Sequence, residues 1–175
     1  MSPLTEAMII NAVVLAATLE ADLGPHRKIG KMRILRPLLT VAVVIPLFLQ
    51  RPVTHGNGLL VELAGVAAGL AGGLIVSALM RVYRSQKTGK PASASSWPYA
   101  LAWVLIVGAR AAFSYGSVHW FPVQIATWCV ANQVSLDAIT DGMIFMALAM
   151  VLVRTLSLGG RARRLPAAEG QLVTA

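Results

Sequence analysis

The stretch LLVELAGVAAGLAGGLIVSALM, residues 59–80, decides how the rest of the chain is read. It carries a single charge, Glu62, and a helix of this length rises about 33 Å, enough to cross a hydrocarbon layer of roughly 30 Å. The whole chain of 175 residues is 57% hydrophobic and 13% charged, outside the balance of a soluble domain of that size. Within the stretch Gly65, Gly69 and Gly73 recur every fourth residue, flanked by Ala64, Ala68 and Gly72. Such a small-residue surface lets a second helix approach closely and gain van der Waals contact.

Similar runs follow outward in both directions. Residues 97–118 form an apolar segment with Arg110 inside it, and residues 136–156 one that opens on Asp137 and Asp141 and continues as GMIFMALAMVLV. Upstream lie residues 34–50, interrupted by Pro37 and Pro46, and residues 4–19, apolar but short. No basic residue precedes 4–19, which argues for a retained span rather than a cleaved signal. The expectation is an all-α, polytopic bundle of five transmembrane helices forming one domain over 1–156, because lipid offers the backbone no hydrogen-bond partner outside helices and closed barrels. The segment HWFPVQIATWCVANQV, residues 119–134, is apolar enough to suggest a sixth span but carries a less apolar stripe of Gln124, Thr127, Ala131 and Ser135. It reads as an interfacial helix over about 121–133, with re-entry or a true span as the alternatives.

All but Arg51 and Arg110 of the 15 basic residues fall between spans one and two, between spans three and four, or after span five. By the positive-inside rule this places the N-terminus outside and the C-terminus in the cytoplasm. It also accounts for the net charge of +8 without nucleic acid, leaving membrane lipids, with anionic headgroups at the basic loops, as the expected surface partner. Residues 85–96, SQKTGKPASASS, read as a flexible polar linker, and residues 157–175 as a basic flexible cytoplasmic tail.

The chemistry of the chain is sparse. Arg110 lies about eight residues, hence roughly 12 Å, from the outer end of its span. A charge at that depth needs water or a carboxylate. Glu62, Asp137 and Asp141 are the acids at a matching level, so an intramembrane cluster of Arg110, Glu62, Asp141 and Asp137 is expected, as a structural ion pair or a polar cavity, with separate charges snorkelling to the interface as the alternative. Gly108, Ala112 and Gly116 form a small stripe that matches Gly65, Gly69 and Gly73, which suggests that spans three and four pack on each other. Pairing of two copies through the same glycines is the competing reading.

His55 and His119 lack the multi-ligand pattern of a metal or haem site, and the single cysteine, Cys129, permits neither an internal disulfide nor a CxxCH attachment. No nucleophile–base pair, phosphate-cradling loop or zinc motif is present, so no catalytic residue, cofactor or metal is assigned.

Two features, ARAAFSY over residues 109–115 and DGMIFMALAMVLVRTLSLGGRARRL over residues 141–165, resemble small uncharacterised multi-pass membrane proteins of actinobacteria and, more distantly, the CcdC-like group linked by name to cytochrome c biogenesis. The resemblance implies a multi-helix protein of a bacterial plasma membrane. Functionally the expectation is a non-enzymatic accessory or assembly component, with a membrane-protein partner or a second copy of itself. A small-solute or proton-coupled transporter and an intramembrane lipid-modifying enzyme are the alternatives.

Overall fold

A computed structural model describes residues 12, 15–16, 18–20, 22–48, 56–85 and 89–165. In chain order the elements are β1 (Gly24–Lys28), α1 (Lys31–Phe48), α2 (Asn57–Leu79), β2 (Met80–Arg84), β3 (Pro91–Ser95), α3 (Trp97–His119), α4 (Pro122–Asn132) and α5 (Leu136–Arg164). Helical residues also precede β1, up to Asp22.

Three of the described helices are long and apolar enough to cross a membrane: α2 and α3 at 23 residues each and α5 at 29. The chain is therefore a polytopic membrane helical bundle, and the expectation of five spans is corrected to three among the described residues. The expected span 34–50 fails for a simple reason. Helix α1 has 18 residues, and Lys31, Arg33 and Arg36 occupy its first turns, so its apolar remainder rises well short of the roughly 30 Å hydrocarbon layer. Most of the expected span 4–19 lies outside the described residues, as do Arg51, His55 and residues 166–175. The helices by themselves assign neither terminus to a side of the membrane.

The expected helical bundle stands, and a short sheet that the sequence did not announce accompanies it. Strands β1, β3 and β2 form an antiparallel sheet in that order, with β3 in the centre. Met80 pairs with Ser95, Val82 with Ser93 and Arg84 with Pro91, while Gly24 and Lys28 pair with Ser95 and Ala92 on the other side. Residues 91–95, expected within a flexible linker, are thus the best-paired strand. The small side chains of PASAS make this possible, since Ala92, Ser93 and Ser95 are buried where larger residues would hold the layers apart. Gly89, at φ 61°, turns the β2–β3 connection, and its carbonyl accepts a hydrogen bond from Arg84 at 2.6 Å. Open sheet edges are not tolerated in hydrocarbon, so the sheet belongs at one end of the bundle, outside the lipid core.

Helices α2 and α5 make the most extensive contact between elements. A Cβ added at Gly65 would strike the backbone of Gly142, and one at Gly69 the carbonyl of Met146; at Gly73 it would lie 2.8 Å from Val153 Cβ and 2.9 Å from Met150 O. The glycine stripe of α2 therefore seats α5 rather than α3. Gly108 of α3 has no atom within 4 Å of its would-be Cβ, Ala112 is exposed, and Gly116 accommodates the ring of Phe121 across the turn into α4. Near the sheet, Val76, Met80, Tyr99, Trp103, Met150 and Leu158 form the buried core.

At 11 residues α4 is too short to cross a bilayer. It ends on Gln133 in the left-handed region, where the amide of Val134 donates to Cys129 O at 2.9 Å. Helix α5 continues to Arg164 through the start of the expected tail, anchored by Arg161, whose guanidinium donates to Ser77 O at 2.8 Å and Met80 O at 3.2 Å at the end of α2.

The contact between α2 and α5 sets a contrast that thermal or SDS unfolding in detergent will measure. Gly65→Ala and Gly69→Ala each push a methyl group into the backbone of α5 and lower stability by about 1–3 kcal/mol. Gly108→Ala meets open space and leaves stability unchanged or raises it by about 0.5–1 kcal/mol.

Candidate functional site

Two polar centres lie within this frame. The first is built on Asp22, whose side chain is fully buried. Its Oδ1 accepts a hydrogen bond from Arg33 Nη2 of α1 at 2.9 Å, and its Oδ2 accepts from Tyr99 of α3 and pairs with Arg154 of α5. Arg33 also donates to Ser93 of β3 at 2.9 Å. One carboxylate thus ties α1, α3, α5 and the central strand to the segment before β1. A buried carboxylate is tolerated only when its charge is matched and its lone pairs are filled. Two guanidinium groups and a phenol meet both conditions.

The second centre is Arg110, halfway along α3. It lines two clefts that meet at its side chain together with Phe113 and Met143. One, of about 370 Å³, reaches Ala68 and Gly72 of α2 and Met146 of α5 and has an apolar wall. The other, of about 270 Å³, leads past Ser114, Ser117 and Thr140 to Ile125 and Leu136, at the end of the bundle away from the sheet. The Nε of Arg110 is buried and has no hydrogen-bond partner.

The four residues expected to cluster fall on three helices, Glu62 on α2, Arg110 on α3 and Asp137 and Asp141 on α5. Glu62 is buried near the start of α2. Asp137 is exposed in the first turn of α5, where the helix dipole favours a carboxylate, and Asp141 is half-buried one turn further on. Ser135 caps the same turn by accepting from the Ala138 amide at 3.1 Å. None of the three acids forms an ion pair with Arg110 among the described residues. The two aspartates stand one turn apart at the start of α5.

Among the described residues no group of three or more His, Cys, Asp and Glu side chains converges on a point where a metal could sit. His119 stacks on Tyr115 with ring centroids 4.3 Å apart, and Cys129 is buried.

Sequence reasoning passed over the Asp22 centre although a signal was present. Arg154 stands in the apolar run VLVRTLSL, so the criterion that singled out Arg110 applied equally to it. Counting it with the basic residues of the tail hid it. Asp22, the nearest acid upstream of the run from Arg27 to Arg36, was the natural candidate for its partner.

No protein family model, no curated protein and no solved structure matches this chain.

The Asp22 centre predicts an ordered series of stability losses in denaturant unfolding. Asp22→Asn leaves Arg154 without its counter-charge and costs about 3–5 kcal/mol, whereas Tyr99→Phe removes one hydrogen bond and costs about 1–3 kcal/mol.

Proposed function

We propose that the chain is a non-enzymatic accessory component of a bacterial plasma membrane that holds an anionic, partly apolar molecule in the clefts at Arg110. The observation that carries this reading is the environment of Arg110, a guanidinium at mid-depth whose buried Nε has no hydrogen-bond partner and which lies where two clefts join. An arginine placed at that depth is costly unless an anion or water meets it, and none of the acids at its level forms an ion pair with it.

The shape of the clefts favours an amphiphile over a bare ion. On one side of Arg110 the wall is made of Ala68, Gly72, Ile106 and Met146, suited to a hydrocarbon chain; on the other, the hydroxyls of Ser114, Ser117 and Thr140 offer polar contact. The methionines add adaptable walls that fit chains of varied shape. A carboxylate or phosphate at Arg110 would make charge-assisted hydrogen bonds in a water-poor setting, where they are strongest. The three membrane-length helices support the membrane assignment, and the reading assigns no chemical step to any residue.

The test is native mass spectrometry of the purified protein with a long-chain fatty acid and, separately, with the uncharged alcohol of the same chain length. The acid is retained about 10- to 100-fold more tightly than the alcohol, and Arg110→Leu removes the difference. Equal retention of acid and alcohol by the wild-type chain would overturn the reading. Solute flux through vesicles containing this chain alone would replace it with a transporter.

A further inference from the structure

A second polar space, apart from Arg110, lies at the sheet end of the bundle. There an open vestibule of about 900 Å³ is lined by Arg81, Tyr83, Arg161 and Arg164, with Met80, Val82 and Leu165 forming an apolar wall. Met80, Val82 and Arg161 also border a small nook of about 10 Å³ that reaches Ser77, Arg154 and Ser157. The nook is thus the deep end of the vestibule, with room for roughly one water-sized group. No acidic side chain lines either space among the described residues.

The deep end is where the chemistry becomes specific. Ser77 and Arg154 are 5% and 7% exposed, and Ser77 Oγ and Arg154 Nε are buried without a hydrogen-bond partner. Leaving a buried polar group unmet costs about 1–3 kcal/mol, more when it is charged. Arg154 gives a terminal nitrogen to Asp22, and Arg161 uses Nη1 to hold Ser77 O and Met80 O. The second guanidinium is therefore fixed at the mouth of the nook by backbone it does not release. A hydroxyl, a guanidinium Nε and a held arginine around a one-atom space, with two more arginines outside, match one oxygen of a phosphate in the nook and the others in the vestibule.

We infer that this vestibule binds the phosphate of an anionic phospholipid headgroup, seated through Ser77, Arg154 and Arg161 and closed over by Arg81 and Arg164. The lipid source follows from position and lining. The site stands beside the sheet, at the end of the membrane-length helices α2 and α5, where headgroups lie. Met80, Val82 and Leu165 give the first methylenes of an acyl chain an apolar surface that free phosphate would not use.

The experiment compares nanodiscs containing the full chain in phosphatidylcholine with and without phosphatidylglycerol, reading lipid retained per protein by native mass spectrometry and the unfolding temperature of each sample. Phosphatidylglycerol is retained selectively and raises the unfolding temperature. Arg81→Ala and Arg164→Ala, both at exposed positions, each weaken retention about fivefold, and Ser77→Ala weakens it about tenfold. Arg163→Ala serves as the control, since Arg163 is exposed at the same end but does not line the vestibule. Loss on Arg163→Ala equal to that on Arg81→Ala would reduce the effect to a diffuse charge field and overturn the site, as would equal retention of the two lipids. Inorganic phosphate is added in a parallel arm. If it displaces phosphatidylglycerol and protects the wild-type chain but not Ser77→Ala, the anion site stands; if phosphate alone accounts for the full stabilisation, the headgroup assignment falls.

Discussion

The carboxylate of Asp22 is the constraint around which the sheet end of this protein is organised. It has no access to water, so its charge must be met entirely by the protein, and the groups that meet it come from α1, α3 and α5. Each partner brings its element to a fixed place. Arg33 draws the start of α1 against Ser93 and hence against the central strand. Tyr99 sets the first turn of α3 and, through its edge-on contact with Trp103 at 6.5 Å between centroids, the apolar core beside it. Arg154 fixes α5, which carries with it the whole contact with α2. The short sheet is stable in this setting because its central strand is roofed by groups that cannot leave without exposing a buried charge.

Toward the opposite end the rules of packing change. Backbone-to-backbone approach between α2 and α5 replaces ion pairing, made possible by Gly65, Gly69 and Gly73 against Gly142 and the turns that follow it. Helix α3 does not join this contact in the same way. It is held at its start by Tyr99 and Trp103, and beyond them its distance from α2 and α5 leaves the two clefts at Arg110. A tight pair and a looser third helix are what a bundle needs if it is to keep its shape and still admit a guest molecule.

Much of this was legible in the sequence, and the limits have physical causes. Residues 59–80, 97–118 and 136–156 announce membrane helices because nothing in water would accommodate them, and the structure places α2, α3 and α5 there. The glycine stripe was legible as a packing surface but not its partner. Gly108, Ala112 and Gly116 offer the same spacing as α2, whereas α5 meets the stripe with Gly142 and with side chains no spacing rule marks. The sheet was hidden because its strands are only five residues long and β1 lies more than sixty residues before the strand it pairs with. Ser93 and Ala92 look like linker residues until Arg33 and two neighbouring strands surround them. Arg110 was legible as a charge out of place, but its depth along α3 did not determine which acids faced it, and Asp137 and Asp141 proved to belong to the start of α5.

The order of strands in the sheet also bears on how the chain is made. Strand β1 is synthesised before the other two, yet among the described residues it pairs with β3 alone, more than sixty residues later, and the charge next to it on Asp22 is not fully met until Arg154 has emerged. The early part of the chain must therefore wait at the membrane surface with an unfilled sheet edge while α2 is inserted, and it closes only after α5 has followed. A ribosome stalled before Arg154 would leave α5 incomplete and the segment around Asp22 unsealed, a form open to quality-control proteases.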